Sequence, residues 1–245
     1  MFSVQQVRPG VWVGFTGTET GNLAFHVGDD PGNVSLRRDA LNLQLSELSG
    51  AVVSLAYMSQ VHGNEVALIP ERSESGTVAV AGPAPTADAL VSKGAGLAVM
   101  VADCVPVVLV AEDADGGLTL AVAHAGRPGV ETGVIGAVVA RMRAEGAQRI
   151  EAWLGPSICG RCYEVPESMR AAVAAQVPES FATTSWGTPA LDLPAAVVAQ
   201  LRALEVLAHP SGECTLENPA FHSHRRAVRD SSAEGRFIGF VVSAP

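Results

Sequence analysis

The chain has 245 residues, 48 % of them hydrophobic and only 5 % aromatic, so a large core is available and aliphatic side chains must fill it. Sixteen basic residues against 25 acidic ones leave a net charge of −9, which excludes the broad basic face that general nucleic-acid binding needs, though not a small anion held by a few arginines. The N-terminal stretch lacks the basic and then apolar pattern of a signal peptide, and no apolar run is long enough to span a bilayer, so the expectation is a soluble cytoplasmic protein with no membrane partner. The sequence does not set the oligomeric state, for which a monomer is the default expectation.

The first predicted element is a helix over residues 33–45. Short runs rich in Val, Leu and Ile then predict strands at 51–58, 65–69, 88–92, 97–102, 106–111 and 118–123. The glycines at 94–96 suggest a dinucleotide loop only superficially, because a strand-like run follows them and the third glycine is missing. A helix is predicted over 130–145, where Val130, Val134, Val138 and Met142 recur four residues apart. A strand at 150–154, helices at 166–176 and 194–205, and a strand at 236–242 complete the pattern. Helices do not alternate regularly with strands, so a mixed α+β sandwich is favoured over a doubly wound parallel sheet. No repeat or linker divides the chain, which is read as one domain over 1–245.

Three polar residues interrupt this apolar pattern where strands meet turns. Cys104 follows Asp103 inside VMVADCVPVVLV, His62 lies in SQVHGNEV, and His124 ends a strand in AVAHAGRPG. A rigid strand aims a side chain and a turn gives access to it. One thiolate and two imidazoles suit zinc, with a fourth position left open for chemistry and Asp103 as an outer partner. The spacing alone leaves open that Cys104 is a small buried hydrophobe and that each histidine is a hydrogen-bonded strand end.

SQVHGNEV, ADALVSK, VADCVPVVL, AVAHAGRPG, LGPSICGRCYEV and ENPAFHSHRRAVRDSSAEGRFIGFVV occur in this order, and together they resemble the laccase-domain (YfiH, multi-copper polyphenol oxidase) family over about residues 10–242. The resemblance implies an α/β/β/α sandwich similar to a bacterial cytotoxic-factor cysteine hydrolase. It implies zinc on His62, Cys104 and His124, with Cys104, His124 and Asp103 as the catalytic residues. It also implies phosphorolysis of adenosine, inosine and methylthioadenosine and deamination of adenosine, so that the partners are a purine nucleoside and phosphate.

Six histidines are too few for a multicopper chain, so copper is the second choice of metal. Deamination needs a metal-activated water and a carboxylate to move protons, for which Asp103 and Glu65 are the candidates. Phosphorolysis needs cations, for which Arg127, Arg225 and Arg226 are the candidates, with His26 near the entrance. The family reads HAGWRG where this chain reads HAGRPG, so Arg127 stands one position before the expected arginine; SHRR stands for SYRR at Arg225. The pair Cys159 and Cys162 has no second CxxC to complete a zinc site, and Cys214 is assigned to packing. Two rival readings stay open. In one, Cys104 is the nucleophile of an amidase acting on peptidoglycan precursors. In the other, the chain is a non-catalytic, division-associated binding protein.

Overall fold

The computed structural model describes residues 3–71 and 83–244. In chain order the strands are β1 (Ser3–Arg8), β2 (Val11–Phe15), β3 (Val66–Leu68), β4 (Ala89–Ser92), β5 (Leu97–Val101), β6 (Val105–Glu112), β7 (Leu118–Ala125), β8 (Arg149–Leu154), β9 (Phe181–Thr183), β10 (Pro189–Leu191), β11 (Leu207–Pro210) and β12 (Phe237–Ser243). The helices are α1 (Pro31–Ser49), α2 (Arg127–Thr132), α3 (Val134–Ala144), α4 (Glu167–Gln176), α5 (Leu193–Ala203) and α6 (His224–Asp230).

Two sheets stack face to face. One is four-stranded and antiparallel, in the order β1-β2-β12-β5, and the other is six-stranded and mixed, in the order β11-β8-β6-β7-β4-β3. Alternation along β6 shows how the layers share one sequence. Val108 and Val110 face the inter-sheet core with Val13, Leu97, Val99 and Val241. Val105, Val107 and Leu109 face the opposite way, onto Val134, Val138 and Met142 of α3 and Val197 and Leu201 of α5. On the far side, Leu41 and Leu45 of α1 cover Ala98, Ile238 and Phe240 of the smaller sheet. The layers are therefore α/β/β/α, as expected.

Several predicted boundaries shift for identifiable reasons. The predicted helix over 130–145 is two helices, because Gly133 takes a left-handed φ of 85° between α2 and α3. The predicted strand over 51–58 runs beside β5 but makes only one bridge, Ala56 to Leu97. The Val53 and Leu55 N–H groups, which a strand would give to a neighbour, are taken by Ser46 Oγ and Asn42 Oδ1 of α1. Pro106, a residue expected to end the local hydrogen-bonding register, lies inside β6 opposite His124. The β1–β2 hairpin, β9, β10, β11 and α6 were not predicted. No described helix is long and apolar enough to cross a membrane.

The two sheets touch closely at one point. A Cβ on Gly155 would lie 2.3 Å from the Phe15 ring and 2.8 Å from Pro106 Cγ, so the end of β8 approaches β2 and β6 only without a side chain. Gly155→Ala is expected to destabilise the fold by about 1–3 kcal/mol, the usual cost of overpacking. The denaturation midpoint should fall with an unchanged denaturant slope.

Candidate functional site

The run that contains Asp103 and Cys104 is not one strand. β5 belongs to the smaller sheet and β6 to the larger, and residues 102–104 make the turn between them. Asp103 takes a φ of 81° there, a left-handed conformation that costs an L-residue about 1–2 kcal/mol. Its buried carboxylate holds the turn, accepting from Thr215 Oγ1 at 2.6 Å and from the Arg225 backbone N–H at 2.7 Å. Cys104 is thereby presented at the seam of the sandwich.

The loop before β3 brings His62 to the same place. His62 is also left-handed, with a φ of 62°. The cause is Asp88, a fully buried carboxylate that accepts the N–H groups of Val61 (3.2 Å), His62 (2.9 Å) and Gly63 (2.6 Å). The same carboxylate bonds His124 Nδ1 at 2.9 Å. Asp88 thus fixes the backbone of one histidine and the ring of the other, and leaves His124 Nε2 to Cys104. Asp103, expected as the outer partner, bonds Thr215 and Arg225 instead, and the carboxylate bonded to the imidazole is Asp88.

His62, Cys104 and His124 lie together. Their donor atoms all lie within 4.8 Å of one another, with Cys104 Sγ 4.0 Å from His62 Nε2 and the imidazole centroids 4.6 Å apart. A Cβ on Gly126 would meet all three: His62 Cδ2 at 2.8 Å, Cys104 Sγ at 3.1 Å and His124 Nε2 at 3.5 Å. The donor set fits a metal ion with three protein ligands and a carboxylate behind one imidazole. Burial pushes the Cys104 thiol up, but the adjoining His124 and His62 rings more than reverse this and hold it at about 6. Burial lowers His124, while Cys104 and then Asp88 outweigh that and raise it to about 9. Without a metal the pair is therefore a thiolate and an imidazolium between these values.

The three side chains form the floor of a cavity of about 510 Å³, inside the usual range for small-molecule sites. Arg127, Arg225 and Arg236 supply its cations, and His26 and His224 stand at its exposed edge. Ile158, Tyr163 and Leu193 form an apolar wall. Asp103 is the one carboxylate among the described residues that line it. Arg127 pairs with Glu131 at 2.8 Å, and the Arg225 guanidinium bonds the Glu164 carbonyl and stands over the Tyr163 ring. Burial, aided by Arg236, lowers the His26 pKa.

Two candidates do not reach the cavity. Glu65 is exposed and contributes its backbone carbonyl to Asp88 and Ala89. Arg226 points into the 215–221 loop, bonding the Thr215, Leu216, Asn218 and Phe221 carbonyls, so its part is to hold that loop. Arg236, His224 and Gln60 were not anticipated. Gln60 lines the cavity while its amide pairs with both backbone groups of Met100 on the edge of β5.

The family description "Multi-copper polyphenol oxidoreductase laccase" matches residues 10–244. A purine nucleoside phosphorylase of Streptomyces griseus is 44 % identical over 237 residues, covering 94 % of this chain and 90 % of that one. Among solved structures, a Neisseria meningitidis DUF152-family protein superposes with a TM-score of 0.80 at 27 % identity, over 100 % of this chain and 99 % of that one. YlmD from Geobacillus stearothermophilus gives 0.77 at 28 % identity, with coverage of 100 % and 99 %.

Two outcomes test the geometry. In metal-free protein, alkylation of Cys104 by iodoacetamide should rise through a midpoint near pH 6, because the thiolate is present above the lowered pKa; a midpoint in the ordinary thiol range contradicts the ion pair. Asp88→Asn should weaken metal binding about 10–100-fold in a chelator competition, as loss of an imidazole's outer partner does elsewhere.

Proposed function

The chain belongs to the multi-copper polyphenol oxidoreductase laccase family, and from that premise we propose that it is a zinc-dependent purine nucleoside phosphorylase that also deaminates adenosine. One observation carries this reading: the His62–Cys104–His124 floor and the Arg127 and Arg225 guanidinium groups face one nucleoside-sized cavity. The similarity to relatives named purine nucleoside phosphorylase supports the substrate class. The proposed substrates are adenosine, inosine and methylthioadenosine, with phosphate as the second substrate. The four cysteines are unpaired, which suits the cytoplasm, where we place the protein.

When bound by His62, Cys104 and His124, zinc supplies a Lewis acid at the cavity floor without redox chemistry. The protein's own groups do the rest. Arg127 and Arg225 hold the phosphate, one of whose oxygens forms the bond to ribose C1′ as the bond from C1′ to the purine nitrogen breaks. The electron pair leaves with the purine, which takes up a proton. His26, whose pKa is lowered by partial burial and by Arg236, offers a ring N–H to a substrate oxygen. Ile158, Tyr163 and Leu193 exclude water from the base. Deamination calls for a carboxylate near the purine. Asp103 is the candidate, although both of its oxygens already accept hydrogen bonds, which makes phosphorolysis the better-supported activity.

A specific observation favours a second reading. Cys104, His124 and Asp88 stand in the order nucleophile, base and orienting carboxylate that thiol hydrolases use. Cys104 would then attack an amide, and zinc would leave its alkylation unhindered.

Zinc-reconstituted protein is expected to convert inosine to hypoxanthine and ribose 1-phosphate only with phosphate present, and adenosine to inosine without it. Arg127→Ala should raise the KM for phosphate about 10–100-fold, the loss of one charge-assisted contact, with a smaller change for the nucleoside. Conversion of neither nucleoside, with or without phosphate, overturns the reading.

A further inference from the structure

A second cluster of metal-ligating side chains lies outside the cavity. Cys159, Cys162, Cys214 and Glu217 bring three sulfur atoms and a carboxylate oxygen together, all within 4.8 Å of one another. No second CxxC accompanies CGRC in the sequence. The fold supplies a different partner, since Cys214 and Glu217 repeat the same spacing as CxxE. Two such pairs on facing loops are the arrangement of closed structural zinc sites, with a carboxylate in place of the fourth thiolate.

The local backbone is arranged around the cluster. The Cys162 N–H donates to the Cys159 carbonyl at 2.9 Å, a tight turn that aims both sulfurs to one side. The Cys159 N–H donates to Cys214 Sγ at 3.4 Å, the backbone-to-sulfur bond that accompanies a ligating thiolate. A ladder ties the two loops together, with Ser157 N–H to the Glu213 carbonyl at 3.2 Å and Thr215 N–H to the Ser157 carbonyl at 3.1 Å. Glu217 is oriented: Arg161 holds Oε2 at 3.3 Å, while Oε1 lies 3.3 Å from Cys162 Sγ. Cys162 and Cys214 are buried among Ile158, Tyr163 and Leu216, and Glu217 closes the exposed side. Bond lengths of about 2.3 Å to sulfur and 2.0–2.2 Å to oxygen place tetrahedral donors roughly 3.3–3.8 Å apart, so small rotations of these side chains complete the shell.

We propose that Cys159, Cys162, Cys214 and Glu217 bind a second zinc ion, closed by four protein ligands and separate from the one at His62, Cys104 and His124. Its part is to staple two loops that build the cavity. One loop carries Ile158 and Tyr163 to the apolar wall, and the other carries Thr215 to the Asp103 carboxylate beneath Cys104. Exposure of Glu217 makes this the ion that a chelator removes by the shorter path.

The test is the zinc content of reconstituted, desalted protein in four forms of the full chain. Wild type should hold two equivalents, Cys104→Ala and Cys162→Ser one each, and the double variant none. Cys104→Ala keeps all four proposed ligands, so it also answers for Cys162→Ser if that variant does not fold. Cobalt added to metal-free Cys104→Ala should give intense thiolate-to-metal charge-transfer bands and tetrahedral d–d absorption. Glu217→Gln in that background should lose the ion to a chelator faster. The proposal is overturned if Cys104→Ala binds no metal, if its cobalt spectrum lacks thiolate bands, or if Cys159 and Cys162 prove to be joined as a disulfide that excludes the ion. Because these readouts do not use turnover, two bound ions with no nucleoside conversion would sink the functional reading and leave this one standing.

Discussion

The buried carboxylate of Asp88 is the interaction on which the site depends. A carboxylate removed from water without partners costs several kcal/mol, so it persists only where donors surround it. Asp88 collects four: three successive backbone N–H groups from Val61, His62 and Gly63, and the His124 ring. Those same four bonds fold the loop before β3 into a left-handed turn and select which nitrogen of His124 faces the cavity. The satisfaction of one charge and the placement of two candidate metal ligands are therefore the same event. This explains why a site assembled from three distant stretches needs no further support on the histidine side.

Asp103 solves the matching problem on the cysteine side. The chain must leave the smaller sheet at Val101 and enter the larger one at Val105, with only three residues in which to do so. A left-handed residue makes that turn short, and the bonds from Thr215 and Arg225 to the Asp103 carboxylate hold it against its intrinsic cost. Cys104 is then the first side chain past the crossover, where neither sheet covers it fully. An apolar run can contain Asp-Cys because it is two strands of two sheets, and the polar pair sits where they part.

Legibility in the sequence followed the range of the forces involved. The α/β/β/α layering was readable because period-two and period-3.6 burial are local patterns, strong in β6, β7 and α3. Cys104, His62 and His124 were readable as polar residues at the ends of apolar runs. Asp88 was not singled out, since nothing around it tells a carboxylate that caps a loop 25 residues away from an ordinary strand-start residue. Arg226 reads as a candidate phosphate cation because its true partners are backbone carbonyls, which leave no trace in side-chain identity. The β1–β2 hairpin escaped notice because the edge strand reads SVQQVR, mostly polar, and draws its order from pairing with β2. The partners of Cys159 and Cys162 were sought as another CxxC, and a glutamate in that register has no signature until the two loops are seen together.

The change from HAGWRG to HAGRPG can be weighed in the same terms. Arg127 and Pro128 open α2, where a missing N–H has no helical acceptor to lose and the fixed φ of proline suits the first turn. The proline therefore leaves the helix intact. The guanidinium moves one position towards His124 and still lines the cavity. Its present partner, Glu131, is four residues on and partly exposed, a pairing worth only about 0.3–0.5 kcal/mol. A phosphate dianion in a partly closed cavity offers Arg127 a stronger acceptor than that carboxylate, so the exchange costs little. The altered motif changes which residue presents a cation to the proposed phosphate site, and it leaves the cation there.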